Sequence, residues 1–547
     1  MTWRAVALAD DVKDGQLHGL KVDGKLLLVG TTDGGQLFCV ENVCPHEGYP
    51  LSQGYVQGTT LTCAWHNWKF DVRDGAGLLG GEGVRTFDVR VRGEHVEADL
   101  AEPPLEVALP KLQASVDASI ERHDVGRGCR DAARMLTLGV DPRTLLAGLA
   151  AHDGRTAEYG TTHCLPVTAD LIPLAAGRGV DATGILAVAL DLAGRNCRRL
   201  RPRVRSVPLA RGDEATFLRT IEDENVALAE AIVRGHVRAG MTLPELQQWL
   251  LAASAAHFTD FGHHLIYVSK LPALAPHLER EQLADVAGGL AVSLAFATRE
   301  DTLPYMRAWF RRWEAEREAP WPEDAQPDLS PLTAAALDAA PKDALAALTA
   351  ARDAGATAVA VAEALAVAAA HRLLRFDPAV AENPDVAEDW LWASHRLTFA
   401  VAVREAVATW GDRRRFDLLH QSLVFTRTGR GMDGPAPSVA PRAGDAIASI
   451  EAWDPEAAVA GAAAGYDRHA LVELSWQDRF EDPIQVAHAL KTTLAAIQLH
   501  DWTGDDTGVL AAVRMLATRR RERRPQAQAR RAVRWVADGT RIKKLTQ

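Results

Sequence analysis

Two short segments constrain this chain more than the rest of its 547 residues. Cys44-Pro45-His46 opens "CPHEGYPL", and Cys63-Ala64-Trp65-His66 opens "CAWHNWKFDVRDG". Each brings one thiol and one imidazole together in a setting of Gly, Pro and Asp that favours loops. Two such loops facing each other place four soft or borderline donors round one metal centre. Tetrahedral zinc is the competing reading. Zinc fingers, however, usually offer a Cys pair followed by a His pair, whereas each loop here offers one of each.

The surrounding sequence reads as β-structure. "KLLLVG" and "LFCVEN" are short apolar strands joined by the turn "TTDGGQ", and "TTLTC", "NWKFDV", "VRTFDVRVR" and "HVEADL" continue the pattern between Gly- and Asp-rich turns. A small antiparallel sandwich or barrel is expected over residues 1–105. In "AEPPLEVALPKL" three prolines interrupt either periodicity, predicting a linker over 106–115. From residue 116 to 547, Ala-rich segments such as "EQLADVAGGLAVSLAFATRE" and "AVAVAEALAVAAAHRLLRF" carry apolar residues at helical spacing, predicting one large all-α domain. Loops are expected near 318–331 and 426–445, and the helical pairs show no fixed period that would make a solenoid. The expected class is therefore multidomain: a small all-β domain followed by a large all-α one.

The mixed Cys/His pairing resembles a Rieske [2Fe-2S] site, in which two Cys hold one iron and two His the other. The resemblance rests on ligand order, spacing and the trailing Phe70-Asp71 turn, and implies Cys44, His46, Cys63 and His66 as cluster ligands. No further Cys stands in either loop, which likens the domain to ferredoxin and oxygenase-associated Rieske domains rather than to those of cytochrome bc complexes. Trp65 and Trp68 are expected to shield the cluster. The role implied is one-electron transfer.

Composition narrows the partners. A formal charge of −11 argues against general nucleic-acid binding, which needs a basic face. No stretch is long and apolar enough for a membrane span, and the N-terminus lacks the pattern of a signal peptide. Six scattered cysteines suit a reducing cytoplasm. Cys129, Cys164 and Cys197 read as small hydrophobes. The basic run "RRRERRPQAQARR" reads as a solvated helix face, or as a docking patch for an acidic electron-transfer partner.

A carrier fused to a large domain implies a redox consumer. The α/β iron domain of Rieske oxygenases is signed by Asp-x-x-His-x-x-x-x-His. Asp260 and His263 meet its first half, but Val268 stands at the second histidine. The helical region instead carries His163, His257, His263, His264, His395 and His488 on or beside apolar runs, with Lys491 one turn after His488. Imidazoles from separate helices suit a non-haem iron. The alternative for each is a hydrogen-bonded core residue, and for Lys491 a surface charge.

These segments resemble the questin oxidase-like family, helical proteins linked to oxidative ring opening of anthraquinone-type polyketides. "FGHHLIYV" is similar to that family's His-Pro-Leu-Ile-His box, with Tyr267 at its second histidine; "TTHC" and "HALKTT" resemble two further boxes. The resemblance implies His163, His263, His395 and His488 as ligands of a mononuclear non-haem iron, with Lys491 as an N-carboxylated lysine. Glu222, Asp223 and Glu224 form an acidic cluster read as a helix start, and Asp260 as an imidazole acceptor or a loop cap.

The function these readings imply is an iron-dependent oxygenase acting on a small, aromatic or polyketide-like organic substrate with dioxygen. No Gly-x-Gly-x-x-Gly follows a strand, so a separate NAD(P)H-dependent reductase or ferredoxin is expected as electron donor. A homo-oligomer would let one chain's β domain serve another's helices. The alternatives are an electron-transfer or redox-sensing protein with a helical docking domain and no second metal, and a zinc module.

Overall fold

The computed structural model describes residues 2–12, 16–199, 209–310, 319–322, 325–383, 385–409, 414–520, 525–539 and 543–545. Residues 318, 323 and 324 of the first expected loop and 521–524 of the basic run lie outside these. Two compact units form: Met1–Val116 with Gly126–Leu138, and Asp117–Val125 with Gly139–Gln547.

The first unit contains three antiparallel sheets, as the strand pattern predicts. Trp3–Leu8, His95–Asp99 and Val89–Arg92 form one; His18–Val22, Lys25–Thr31, Leu37–Glu41 and Thr86–Phe87 the second; Tyr55–Gln57, Thr60–Thr62, Lys69–Asp71 and Gly77–Leu79 the third. Alternation along the central strands divides the interior in two. Leu28, Phe38 and Val40 face a core with Cys44, Leu51, Leu61, Cys63 and Phe70. Leu27, Val29 and Cys39, one residue out of phase, face a second core with Val6, Phe87, Val96 and Ala98. The first of these cores carries both thiols.

The helix Val125–Thr137 belongs largely to this unit for an electrostatic reason. Arg127, Arg130 and Arg134 recur at helical spacing and reach the Gly81 carbonyl (3.1 Å), the buried Glu82 carboxylate and Glu41 (3.3 Å). Where the prolines predict a linker over 106–115, the backbone is instead helical over Leu105–Arg122 with Pro110 inside. Pro110 costs that helix one backbone bond, and the remaining turns continue past it.

The second unit is helical, as expected. Its helices start and stop on local chemistry: Asp482 caps Pro483–Thr503 by accepting from the Ile484 N–H, and Gly504 ends it in the left-handed region at φ 71°. Ala366, Ala369, Leu373, Trp390, Leu397, Ala496 and Val513 form part of one core between Ala358–Leu374, Trp390–Thr409, Pro483–Thr503 and Thr507–Ala517. Small side chains let these helices approach closely, so the polar groups on them are held rigidly.

Candidate metal centres

The two Cys/His loops of the first unit are built alike. Cys44 N–H donates to the Tyr49 carbonyl and Gly48 N–H to that of Cys44; Cys63 N–H donates to the Trp68 carbonyl and Asn67 N–H to that of Cys63. The fourth residue after each Cys takes a positive φ, 79° at Gly48 and 60° at Asn67, the residue types that tolerate it. Both thiols are buried, whereas His46 and His66 are exposed. Their rings meet edge to face at 4.5 Å.

Burial pushes the Cys44 thiol up to about 11, against the pull of the His46 and Glu47 backbone N–H groups and alongside the neighbouring Cys63. Those N–H donors suit a sulfur carrying negative charge, as metal-bound thiolate does. The donor set therefore fits a [2Fe-2S] cluster with its thiolates inward and its imidazoles outward. Trp68 stacks on His46 at 4.9 Å and 13°. Trp65, expected to shield too, is 53% exposed and stacks on Tyr49 instead. Glu47 lies 3.7 Å from His66 Nε2, an exposed acidic neighbour.

In the second unit, four imidazoles distant in sequence share one place, His395 and His488 buried and His163 and His263 half-buried. His163 precedes the helix Cys164–Ala175, His263 opens His263–Ser269, His395 lies on Trp390–Thr409 and His488 on Pro483–Thr503. His395 Nε2 is 2.6 Å from His263 Nε2, and His488 Nε2 is 3.2 Å from His163 Nε2. One nitrogen from each of His163, His263 and His395 falls within 4.8 Å of the others. The ring of His488 is 4.5 Å from that of His395 and 5.1 Å from that of His163.

Local structure delivers each ring. Asp153 is buried and accepts hydrogen bonds from the Thr162 N–H (2.7 Å), the Thr162 hydroxyl (2.7 Å) and the Thr161 hydroxyl (3.1 Å), fixing the loop before His163. Before His263, three successive residues take positive φ: Asp260 (42°), Phe261 (58°) and Gly262 (83°). The buried Glu300 carboxylate holds this turn by accepting from Phe261 N–H at 2.6 Å. A Cβ on Gly262 would lie 2.2 Å from the Phe399 ring, so glycine is required twice over. Asp260 accepts from Thr298 N–H at 3.1 Å, which makes it a loop cap.

The partners of the rings decide their tautomers. Ser394 Oγ donates to the Leu391 carbonyl at 2.9 Å, so its 2.9 Å contact with His488 Nδ1 is one in which it accepts. His488 thus carries its proton on Nδ1 and points the Nε2 lone pair inward. Tyr267 Oη lies 3.3 Å from His163 Nδ1 and orients that ring. Burial, with the neighbouring charge of Lys491, drives His163, His395 and His488 well below the usual histidine range. Burial and the other imidazoles do the same to His263. These shifts favour the neutral imidazole, the form that binds a metal.

Lys491, one turn beyond His488, is 3% exposed, and its Nζ has no hydrogen-bond partner among the described residues. Burial brings it down from 10.5 to about 7, with Asp170 opposing and Lys270 assisting. It is no surface charge. Asp170 is engaged 2.8 Å from Lys270. The other histidines fall outside the cluster: His264 bonds Thr259 and Ser293, and His257 pairs with Glu222 and Asp301. Glu222 ends the helix Glu214–Glu222, and the next helix begins at Val226, so the acidic cluster is a helix end. A helix-start dipole therefore does not account for it. Ser394, Asp153 and Glu300 escape sequence reading because a Ser in a helix or an acid in a loop is ordinary until its partner is seen.

The profile of the Rieske [2Fe-2S] domain matches residues 2–81. The ferredoxin component of the naphthalene 1,2-dioxygenase system of Pseudomonas putida is 31% identical over 99 residues, 18% of this chain and 93% of the ferredoxin. The 4beta-methylsterol monooxygenase of Methylococcus capsulatus is 38% identical over 69 residues, 13% of this chain and 19% of that protein. Among solved structures, the ferredoxin of carbazole 1,9a-dioxygenase from Nocardioides aromaticivorans is 31% identical over 18% of this chain and 97% of its own, with a TM-score of 0.17. Ligand spacing, paired loops, inward thiols and full-length likeness to a ferredoxin agree. Through its N-terminal domain, the chain belongs to the Rieske [2Fe-2S] family.

Proposed function

We propose that the chain is a Rieske-linked non-haem iron oxygenase, in which a separate NAD(P)H-dependent reductase or ferredoxin feeds electrons through the [2Fe-2S] domain to a histidine-lined centre in the helical unit. The observation that carries this reading is the convergence of His163, His263, His395 and His488 at one place, with His395 and His488 buried and all four imidazoles pushed towards the neutral form. Imidazole donors suit ferrous iron, which when bound would supply dioxygen activation beside an organic substrate. The aromatic or polyketide-like substrate class rests on the resemblance to questin oxidase-like proteins.

The chain's own residues have definable parts. Ser394 holds the outer nitrogen of His488 and leaves its inner one as a donor, and Tyr267 orients the ring of His163. Burial keeps bulk water away. Four neutral imidazoles bring no negative charge, and a divalent cation buried among them is uncompensated. Lys491 supplies the compensation if its neutral amine captures carbon dioxide: the Nζ–C bond forms, one proton is released, and an uncharged amine becomes an anionic carbamate.

The full-length likeness to a ferredoxin favours a second reading, an electron carrier whose helical unit is a docking scaffold. Iron and sulfide analysis with electron paramagnetic resonance separates the two. About three irons per chain support the oxygenase and about two the carrier, since the cluster alone accounts for two. His263→Ala should lose the additional iron and keep the cluster spectrum. Unchanged iron content would overturn the reading.

A further inference from the structure

Two of the four imidazoles need more holding than the others. His395 and His488 lie well inside the long helices Trp390–Thr409 and Pro483–Thr503 and are buried. His163 only precedes the first turn of Cys164–Ala175, His263 is the first residue of His263–Ser269, and both are half-buried. Helix ends fray where helix middles do not. Asp153 and Glu300 fix the backbone just before these two rings, and the direction of the helices beyond is set elsewhere. Seven residues after His163 stands Asp170, and seven after His263 stands Lys270. Seven residues are almost two turns, about 10 Å along the axis, and return to nearly the same face. Lys270 keeps helical angles (φ −88°, ψ −9°) at the end of its helix. Its Nζ donates to Asp170 Oδ1 at 2.8 Å. The two helices therefore meet twice: the rings of His163 and His263 lie 4.7 Å apart at one end, and the ion pair closes the other.

The pair is charged and largely dry. The Asp170 side chain is 6% exposed and that of Lys270 25%. Burial by itself would lower the Lys270 value, yet the charges of Asp170 and then Glu405 hold it above the ordinary lysine range. A buried ion pair is a poor source of stability, because desolvation offsets the attraction. Asp170 Oδ2 is moreover buried with no hydrogen-bond partner among the described residues, a further cost. Apolar side chains of the same volume would hold two helices together as well. What the charges add is a defined direction and separation.

We propose that Asp170 and Lys270 are positioning residues of the helical centre, an ion pair that locks the helix behind His163 to the helix behind His263 and keeps their nitrogens converged for a divalent metal. The proposal rests on the reading of that centre as a metal site. Each residue acts through the histidine two turns back on its own helix. Loss of either charge frees the far ends of the helices, and a tilt about the loops before His163 and His263 displaces the two rings. An ion pair of similar exposure offers a comparison. Glu363 and Arg404, 2.9 Å apart, tie Ala358–Leu374 to Trp390–Thr409, and only the second of those helices carries a candidate ligand.

The test adds ferrous iron anaerobically to the full-length protein and reads its affinity for the helical centre by chelator competition. Urea unfolding and the Rieske paramagnetic signal are followed on the same samples. Asp170→Asn and Lys270→Gln should each weaken iron binding by about 10–100-fold, the usual loss when an outer partner of a ligand is removed, with the Rieske signal unchanged. Glu363→Gln should lose comparable stability and keep the wild-type affinity for iron. Exchanging the charges, Asp170→Lys with Lys270→Asp, should recover most of the lost affinity. Should the exchanged protein not fold, Asp170→Glu, which keeps the charge, should bind iron more tightly than Asp170→Asn. Wild-type affinity in both single variants, or a loss in Glu363→Gln as large as theirs, would overturn the proposal while leaving the metal site standing. A wild type that takes up no iron beyond that of the cluster would overturn the metal-site reading and the proposal with it.

Discussion

Ser394 Oγ lies 2.9 Å from His488 Nδ1 while its own proton is committed to the Leu391 carbonyl, so one serine decides which nitrogen of His488 faces the helical centre. Ser394→Ala should leave the fold intact and weaken iron binding at that centre by about 10–100-fold, the usual cost of losing such an orienting partner. Chelator competition measures it. Wild-type affinity in the variant would remove Ser394 from the site.

The exposed His66 and the buried Cys63 stand three residues apart on the second loop of the Rieske domain. His66→Ala should abolish the visible and paramagnetic signature of the cluster while the far-ultraviolet circular dichroism is kept. A surviving signature would show that this imidazole is not a ligand.

Lys491 is a buried amine whose Nζ has no hydrogen-bond partner among the described residues. Lys491→Met removes a group whose burial is unfavourable in its charged form, so the melting temperature should stay level or rise. The same variant should lose iron from the helical centre. After exchange with carbon-13 bicarbonate, zinc-loaded wild type should show a carbamate resonance that the variant lacks. Equal iron content in the two proteins would contradict the role given to Lys491.

Gly262 sits at φ 83° with the Phe399 ring 2.2 Å from where a Cβ would be. Gly262→Ala should cost about 2–4 kcal/mol, combining left-handed strain with overpacking. Because the turn delivers His263, iron at the helical centre should fall with stability. Urea unfolding and metal analysis on the same sample test both.

His257 lies between Asp301 (2.8 Å) and Glu222 (2.9 Å). The hydrogen bond to Asp301 is the main cause that raises its pKa, against burial. A raised histidine stabilises the fold fully below its unfolded value of about 6.5, and the contribution is lost as pH rises through the folded value. His257→Gln should therefore cost about 1–2 kcal/mol at pH 6 and progressively less above neutrality. Parallel pH profiles for variant and wild type would refute the assignment.

What could be read before any coordinates were known follows the range of the interactions. The Cys44/His46 and Cys63/His66 loops are legible because each is a local backbone turn, closed within six residues and demanding Gly48 and Asn67 at matching positions. Strands and helices follow from periodicity for the same reason. The helix Leu105–Arg122 departs from that reading because one proline inside a helix removes a single bond. For Asp260 the bond from the distant Thr298 N–H selects the loop cap over the imidazole acceptor, and for Glu222–Glu224 the helix bounds give a helix end where position along the chain suggests a start.

Sequence alone determined the two-part architecture, the mixed Cys/His donor set and the candidates His163, His263, His395, His488 and Lys491. Only the tertiary structure decided that those imidazoles meet, that Ser394 and Tyr267 orient two of them, and that Lys491 is buried with no hydrogen-bond partner among the described residues. The physical reason is that protonation state and donor direction depend on burial and on neighbours hundreds of residues away. Spacing along one helix carries no record of them.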